Sequence, residues 1–272
     1  MFDVKFGVAG GDGFVSHIEA LGVPFKVIPI DKRGINPLAD FRLLYALYRL
    51  YRKERPDIIH HFTIKPVIYG SVVARMAAVP CIINTITGLG YVFTNKKADK
   101  LRFLVEKMYK LALSCADFTF FQNHDDLAYF QQRRIVNSRN AEVLPGSGVD
   151  CIYFSPSGNT RKNSNGTKFL MVSRLLKDKG VYEFAEAAQK VNNRFPNTTF
   201  QLLGRRDTRN PAVVPEDDLE NWQRRGTVQW LGEVPDIRSV LQEADIVVLP
   251  SYREGIPRAL LEAAAMGKPV IT

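Results

Sequence analysis

Two carboxylates near the end of the chain stand in a setting that invites chemistry. Glu254 lies in Arg253-Glu254-Gly255-Ile256-Pro257, and Glu262 follows eight positions later. From Ala259 to Met266 the chain reads Ala-Leu-Leu-Glu-Ala-Ala-Ala-Met, so Glu262 is the only charge in a stretch that is apolar all round. A helix of that kind is buried. A carboxylate inside it is costly unless it is paired or hydrogen-bonded. Two readings stand. Glu262 pairs with a structural arginine, or it accepts hydrogen bonds from hydroxyls, of which a ribose offers two adjacent ones. Glu254 is either an exposed loop charge or a group at the mouth of a binding crevice. Pro257 suits a first helical turn, where its missing N–H costs nothing, and Gly255 permits a close backbone approach. The free N–H groups of the helix start favour an anion at the carboxyl end of the preceding strand.

A second constellation is Ser173-Arg174-Leu175-Leu176-Lys177-Asp178-Lys179-Gly180. It follows an apolar run and leads into a helical pattern. Arg174 offers a fork of donors and Lys179 a point charge, and both can reach a diphosphate held at that strand end. The plain alternative is a solvated basic turn. The Walker pattern Gly-x4-Gly-Lys-Ser/Thr is absent, so this is not a P-loop. Elsewhere, His60 and His61 end a strand pattern and are either reactive or packing residues. His124 reads as a helix-entry residue, and Gly10-Gly11-Asp12-Gly13 is a glycine-rich turn of weak meaning. Residues 94–110 carry Lys96, Lys97, Lys100, Arg102, Lys107 and Lys110 against Asp99 and Glu106. Apolar residues at helical spacing accompany them. This is a core-packed helix with a wet basic face, or a membrane-surface or polyprenyl-diphosphate contact.

The elements that must position these groups alternate short β-branched runs with longer helical patterns, twice over, which predicts parallel sheets covered by helices. In the first half, strands are expected at 4–8, 25–30, 57–61, 80–85, 118–121 and 142–144, with helices at 37–53, 68–77, 100–114 and 125–133. A polar stretch rich in turn formers follows at 156–166, as a linker should. The second half places strands at 169–172, 200–203, 228–231, 246–249 and 269–272. Its helices fall at 180–192, 217–225, 237–243 and 257–266. The expected organisation is an α/β chain of two parallel-sheet domains, 1–155 and 167–272. The first βα unit of one and the end of the other are expected to be missing, because a buried strand closes the sequence.

The 272 residues suffice for two domains, and 46% hydrophobic with 24% charged fits a globular core. No apolar run approaches the ~20 residues of a spanning helix. No secretory leader pattern opens the chain, and three scattered cysteines show no disulfide or metal framework. A reducing cytoplasm is the expected compartment. The net charge of +9 divides as +6 over 1–155 (20 basic less 14 acidic) and +3 over 156–272 (17 less 14). That balance suits phosphorylated ligands or anionic headgroups. Nucleic acid is not expected, since no such signature is present.

Four segments together resemble the retaining glycosyltransferases of family GT4: Ser173-Arg174-Leu175-Leu176-x-Asp178-Lys179-Gly180-Val181, Leu231-Gly232-Glu233-Val234, Leu249-Pro250-Ser251-x-x-Glu254-Gly255-Ile256-Pro257 and Leu261-Glu262-Ala263. Pro145-Gly146-Ser147-Gly148-Val149-Asp150 is similar to the family's domain junction. His61-Phe62-Thr63-Ile64-Lys65-Pro66 and Thr87-Gly88-Leu89-Gly90-Tyr91-Val92-Phe93 look like bacterial enzymes that build lipid-linked oligosaccharides and surface polysaccharides, lipopolysaccharide among them. The resemblance implies the GT-B fold, two Rossmann-like domains with the active site in the cleft between them. It implies a nucleotide-sugar donor, expected to be a UDP-sugar, and no metal. Arg174 and Lys179 would hold the departing diphosphate, Glu262 the ribose, Glu254 with Gly255, Ile256 and Pro257 the transferred sugar, and Leu231 to Val234 the base. His61 joins Glu254, Arg174 and Lys179 as a catalytic candidate. Thr63, Lys65, Thr87, Gly88 and Leu89 face the acceptor. Many relatives carry His-x-His where this chain has His60-His61-Phe62, which leaves the histidine role open. The implied enzyme is a hexosyltransferase acting on a glycan or polyprenyl-diphosphate acceptor, at most peripheral on the inner membrane face. The rivals are a GT-B nucleotide-sugar 2-epimerase and a non-catalytic nucleotide-binding remnant.

Overall fold

The computed structural model describes residues 3–9, 15–20, 22–30, 36–89, 93, 99–156, 166–208 and 210–272. The glycine turn at 10–13, residues 90–92 and 94–98, and most of the expected linker lie outside them. The chain divides into two compact units, Met1–Pro145 and Gly146–Thr272. The division falls earlier than the sequence suggests. The physical reason is Phe154, which is buried in the core of the second unit with Val149 packed beside it. The Asp150 side chain caps this turn by accepting from the Ile152 and Tyr153 amides.

In the first unit, β1 (Phe6–Ala9) and β2 (Phe25–Ile28) pair in parallel around α1 (Val15–Ala20), a short helix with no clear sequence pattern. The main sheet runs β3 (Ile58–Phe62), β4 (Cys81–Ile86), β5 (Phe118–Phe121), β6 (Ala141–Val143), all parallel and in chain order. Alternation along these strands sends Ile82, Ile86 and Phe121 into the helical side, where they are fully buried. That side is built by α2 (Pro37–Glu54), α3 (Ser71–Met76), α4 (Asp99–Cys115) and α5 (His124–Gln132). Local chemistry starts α2. The Asn36 side chain accepts from the Leu38 and Ala39 amides, and Pro37 takes the first position. The helix expected at 68–77 is entered earlier, through a π-helical turn Pro66–Gly70 that continues into α3.

In the second unit five parallel strands lie in the order β11, β10, β7, β8, β9. They are β7 (Thr167–Val172), β8 (Thr198–Leu203), β9 (Gln229–Gly232), β10 (Ile246–Val248) and β11 (Val270–Ile271). The helices α6 (Val181–Arg194), α7 (Glu216–Arg224), α8 (Arg238–Glu243) and α9 (Arg258–Ala265) alternate with them. Leu170, Met171 and Leu202 on the central strands and Phe184 on α6 are sealed from solvent, each contributing about 2 kcal/mol of burial. The chain leaves β7 for β8 and β9 on one side, then returns for β10 and β11 on the other. The switch point is therefore the gap beyond the carboxyl ends of β7 and β10, where open α/β sheets bind ligands.

Candidate functional site

The loop after β7 and the loop after β10 are clasped at this switch point. Buried Leu175 and Leu176 anchor the first loop, and Leu176 bridges to Val213. The Ser173 carbonyl runs so close to Gly204 that a β-carbon there would lie 1.8 Å from it. On the other side, the Asp178 carbonyl accepts from the Tyr252 amide (3.1 Å) and from Ser251 Oγ (3.3 Å). Gly180 has φ +77°, and a β-carbon on it would meet the Pro250 carbonyl at 2.0 Å. Only glycine fits both the left-handed backbone and that contact. The Leu-Leu-x-Asp-Lys-Gly spacing thus serves a loop-to-loop seam.

The seam delivers two of the expected residues to each other. Lys179 Nζ donates to Glu254 Oε1 at 2.6 Å, with both side chains largely buried. Arg174 stands exposed on the same loop. Ile256 packs against Gly146, whose own φ is +62°, so within the second unit the loop that carries Glu254 meets the first residue of that unit. Pro257 is the N-cap residue of α9 rather than part of its first turn, and no side chain caps that helix start. Glu262 is 8% exposed. Arg258, one turn earlier on the same helix, donates to its Oε1 at 3.1 Å but is itself 66% exposed. Burial raises the Glu262 pKa, and the Arg258 charge and hydrogen bond oppose it. The arginine partner foreseen for Glu262 is therefore present, as a solvent-exposed neighbour.

At the end of β9, Leu231 and Val234 pack on the core while Glu233 is exposed. Gly232, at φ +74°, accepts the Gly204 amide at 2.7 Å, which ties this loop to the end of β8. That tie brings up Arg205, an exposed cation directly after β8 whose carbonyl accepts the Leu175 amide. Its one sequence signal was a basic pair closing a strand.

In the first unit the expected residues separate. His61 is 5% exposed. Its Nδ1 meets Asn84 Oδ1 and its Nε2 meets the Tyr51 hydroxyl, both at 3.0 Å. A β-carbon on Gly70 would touch the ring at 2.5 Å. This geometry is that of a packing histidine joining β3, β4 and α2. Lys65 is tied to Asp40 at 2.9 Å, with Tyr69 on the other carboxylate oxygen, and Leu89 is core. Thr63 and Gly88 remain at the ends of adjacent strands β3 and β4, both with positive φ (+68° and +133°). For a β-branched threonine that is a strained conformation. His124 is exposed at the start of α5, after the Asn123 cap, as expected of a helix-entry residue.

The buried His61 has a testable consequence. Burial lowers its pKa from 6.5 to about 4, so the folded state holds fewer protons than the unfolded chain below pH 6.5. Its contribution to stability is present above pH 6.5 and is lost as pH falls toward 4. Between pH 7 and pH 5 the first unit should lose about 2 kcal/mol. Urea midpoints of wild type and His61→Gln at both pH values check this. Equal pH sensitivity in the two proteins would sink it.

Comparisons with known proteins follow the same division. A family described as "Glycosyl transferases group 1" matches residues 166–272, and one described as "Glycosyl transferase 4-like" matches residues 16–123. An Escherichia coli protein, UDP-Gal:alpha-D-GlcNAc-diphosphoundecaprenol alpha-1,3-galactosyltransferase, is 31% identical over 90% of this chain and 64% of its own length. A Campylobacter jejuni protein, N,N'-diacetylbacillosaminyl-diphospho-undecaprenol alpha-1,3-N-acetylgalactosaminyltransferase, is 30% identical over 99% of this chain and 72% of its own length. The chain thus spans about two thirds of these relatives. The crystal structure of Anabaena HepE in complex with UDP and glucose superposes with a TM-score of 0.73, covering 98% of this chain and 72% of that one at 18% identity. That likeness supports the fold.

Proposed function

We propose, from the premise that this chain belongs to the GT4-type glycosyltransferases of the GT-B fold, that it moves a hexose or N-acetylhexosamine from a nucleoside diphosphate to a glycan on a polyprenyl diphosphate, with retention. The observation that carries this reading is Lys179 held 2.6 Å from Glu254 across the switch point of a parallel sheet. A cation fixed there, with Arg174 on the same loop and the uncapped start of α9 following the loop that carries Glu254, suits a diphosphate leaving group. The C1–O bond of the donor breaks as charge develops on the β-phosphate. The acceptor hydroxyl forms the new bond to C1 from the same face and passes its proton to the departing phosphate oxygen. Glu254 and the 255–257 backbone hold the sugar, Glu262 the ribose hydroxyls, and 231–234 the base, with Arg205 adding a third cation. Thr63, Thr87 and Gly88 serve the acceptor. His61, with both ring nitrogens engaged, supports the fold of that unit instead of the chemistry.

The relatives named for UDP-galactose and undecaprenyl-linked acceptors support a UDP-sugar and a lipid-linked glycan, and transfer over epimerisation. No helix among the described residues is long and apolar enough to cross a membrane. On α4, exposed Lys100, Lys107 and Lys110 alternate with Phe103, Leu104 and Leu111, which supports a peripheral site of action on the cytoplasmic face. The test is incubation of the full chain with several labelled UDP-sugars and a polyprenyl-diphosphate-linked sugar. Label should enter the lipid fraction as the α-anomer. Interconversion of the free nucleotide sugar, or donor binding with no transfer, would overturn the reading.

A further inference from the structure

Thr63 holds a backbone conformation that its neighbours must enforce. Of the described residues other than glycine, Arg55, Thr63, Ala78 and Arg134 have positive φ. Arg55 is the C-cap of α2, and Ala78 and Arg134 follow the C-caps of α3 and α5, where the left-handed conformation is ordinary. Thr63 is different. It leaves β3 for a π-helical turn, with φ +68° on a β-branched residue. It is exposed, so burial of its own side chain does not repay the strain. Such strain persists only where the surroundings over-determine it, and it gathers at functional sites, as π-helical turns do.

The enforcing group is Asp40 of α2. Its Oδ1 accepts from Lys65 Nζ and its Oδ2 from the Tyr69 hydroxyl, each at 2.9 Å, which pins a residue on each side of Pro66. Gly70 then closes against the His61 ring, and Ser71 Oγ donates to Asn84 Oδ1. Burial, aided by the hydrogen bond to Asp40 and its charge, pushes the Tyr69 pKa up to about 12, so the phenol stays a donor. The Asp40 and Lys65 side chains are only 11% and 16% exposed. A buried ion pair is a poor device for stability alone, because apolar residues of similar volume commonly do as well.

We infer that Asp40 is a positioning residue for acceptor binding: through Lys65 and Tyr69 it holds the strained Thr63 turn at the carboxyl end of β3, beside Gly88 after β4. The inference rests on the reading that this strand edge takes the acceptor, and it adds a residue that acts without touching the substrate.

Calorimetry of the full chain with UDP and, separately, with a short-chain prenyl-diphosphate-linked N-acetylglucosamine tests it, beside a thermal melt of each variant. Asp40→Leu/Lys65→Met replaces the pair by apolar side chains of similar volume and should melt close to wild type. It should weaken binding of the prenyl-linked sugar by about 10-fold, the equivalent of one hydrogen bond lost, and leave UDP affinity unchanged. Tyr69→Phe should act in the same direction. Thr63→Gly should weaken the prenyl-linked sugar as much as the pair replacement does. Combining the two should cost less than about 2-fold more, because both act through one turn. Four results would overturn the assignment. They are no binding of the prenyl-linked sugar to wild type, unchanged affinity for it in Asp40→Leu/Lys65→Met, multiplied losses in the combined variant, or a fall in UDP affinity and melting temperature alongside. The transfer reading fails separately. Label transfer by wild type, with normal acceptor binding in the Asp40 variant, would keep that reading and remove this one. Coupled losses of binding in a protein that transfers nothing would do the reverse.

Discussion

Lys179→Ala should lower turnover by about 10³-fold while changing donor affinity far less. Removal of one preorganised donor from a developing negative charge costs on the order of 10²–10³ in rate. Lys179 lies at the upper end of that range because its ammonium is largely buried and already aimed across the switch point by Glu254. A cation fixed before the reaction needs no reorganisation as the diphosphate departs. Arg174 is exposed and therefore weaker, so Arg174→Ala should cost about 10-fold. The rival explanation is that Lys179 only joins two loops. In that case Lys179→Ala would lower stability and activity in step, and Lys179→Ala/Glu254→Ala would recover both. The measurement is kcat for a labelled UDP-sugar beside a thermal melt for each variant. Turnover within 10-fold of wild type in Lys179→Ala would falsify the assignment.

The alternation of strands and helices was legible because strands buried in parallel sheets must be β-branched or aromatic runs. The loop motifs were legible for a related reason. Leu175 and Leu176 anchor, Gly180 adopts φ +77° against Pro250, and Pro257 opens a helix, so each residue type answers a backbone demand. What stayed hidden depends on partners distant in sequence. Nothing near Lys65 in the sequence points to Asp40 of α2, and the role of His61 stays open in the sequence because Tyr51 and Asn84, which meet its two ring nitrogens, lie on other elements. Phe154 lies in a stretch that seemed to trail the first domain, yet it packs in the second core. Arg258 is different: a partner four residues before Glu262 was readable as a helical pair.

That pair sets up the sharpest test of the ribose assignment. An i, i+4 bridge to an arginine 66% exposed is screened by solvent and contributes at most about 1 kcal/mol. Burial meanwhile works against the Glu262 carboxylate, raising its pKa. Glu262 therefore gains little from Arg258 and pays desolvation to remain in α9, which is the balance expected of a group kept for a ligand rather than for the fold. Hydrogen bonds from two hydroxyls to a carboxylate contribute about 1.5 kcal/mol each. Glu262→Ala should then weaken UDP binding by about 100-fold, with stability nearly unchanged. Arg258→Ala should alter that affinity by less than about 3-fold. Titration calorimetry with UDP and with a 2′,3′-dideoxy analogue separates the contributions. The wild type should lose on the analogue what Glu262→Ala loses on UDP, and Glu262→Ala should hardly distinguish the two ligands. If Arg258→Ala matches Glu262→Ala, or if Glu262→Ala binds UDP as wild type does, the carboxylate belongs to the helix and not to the ribose.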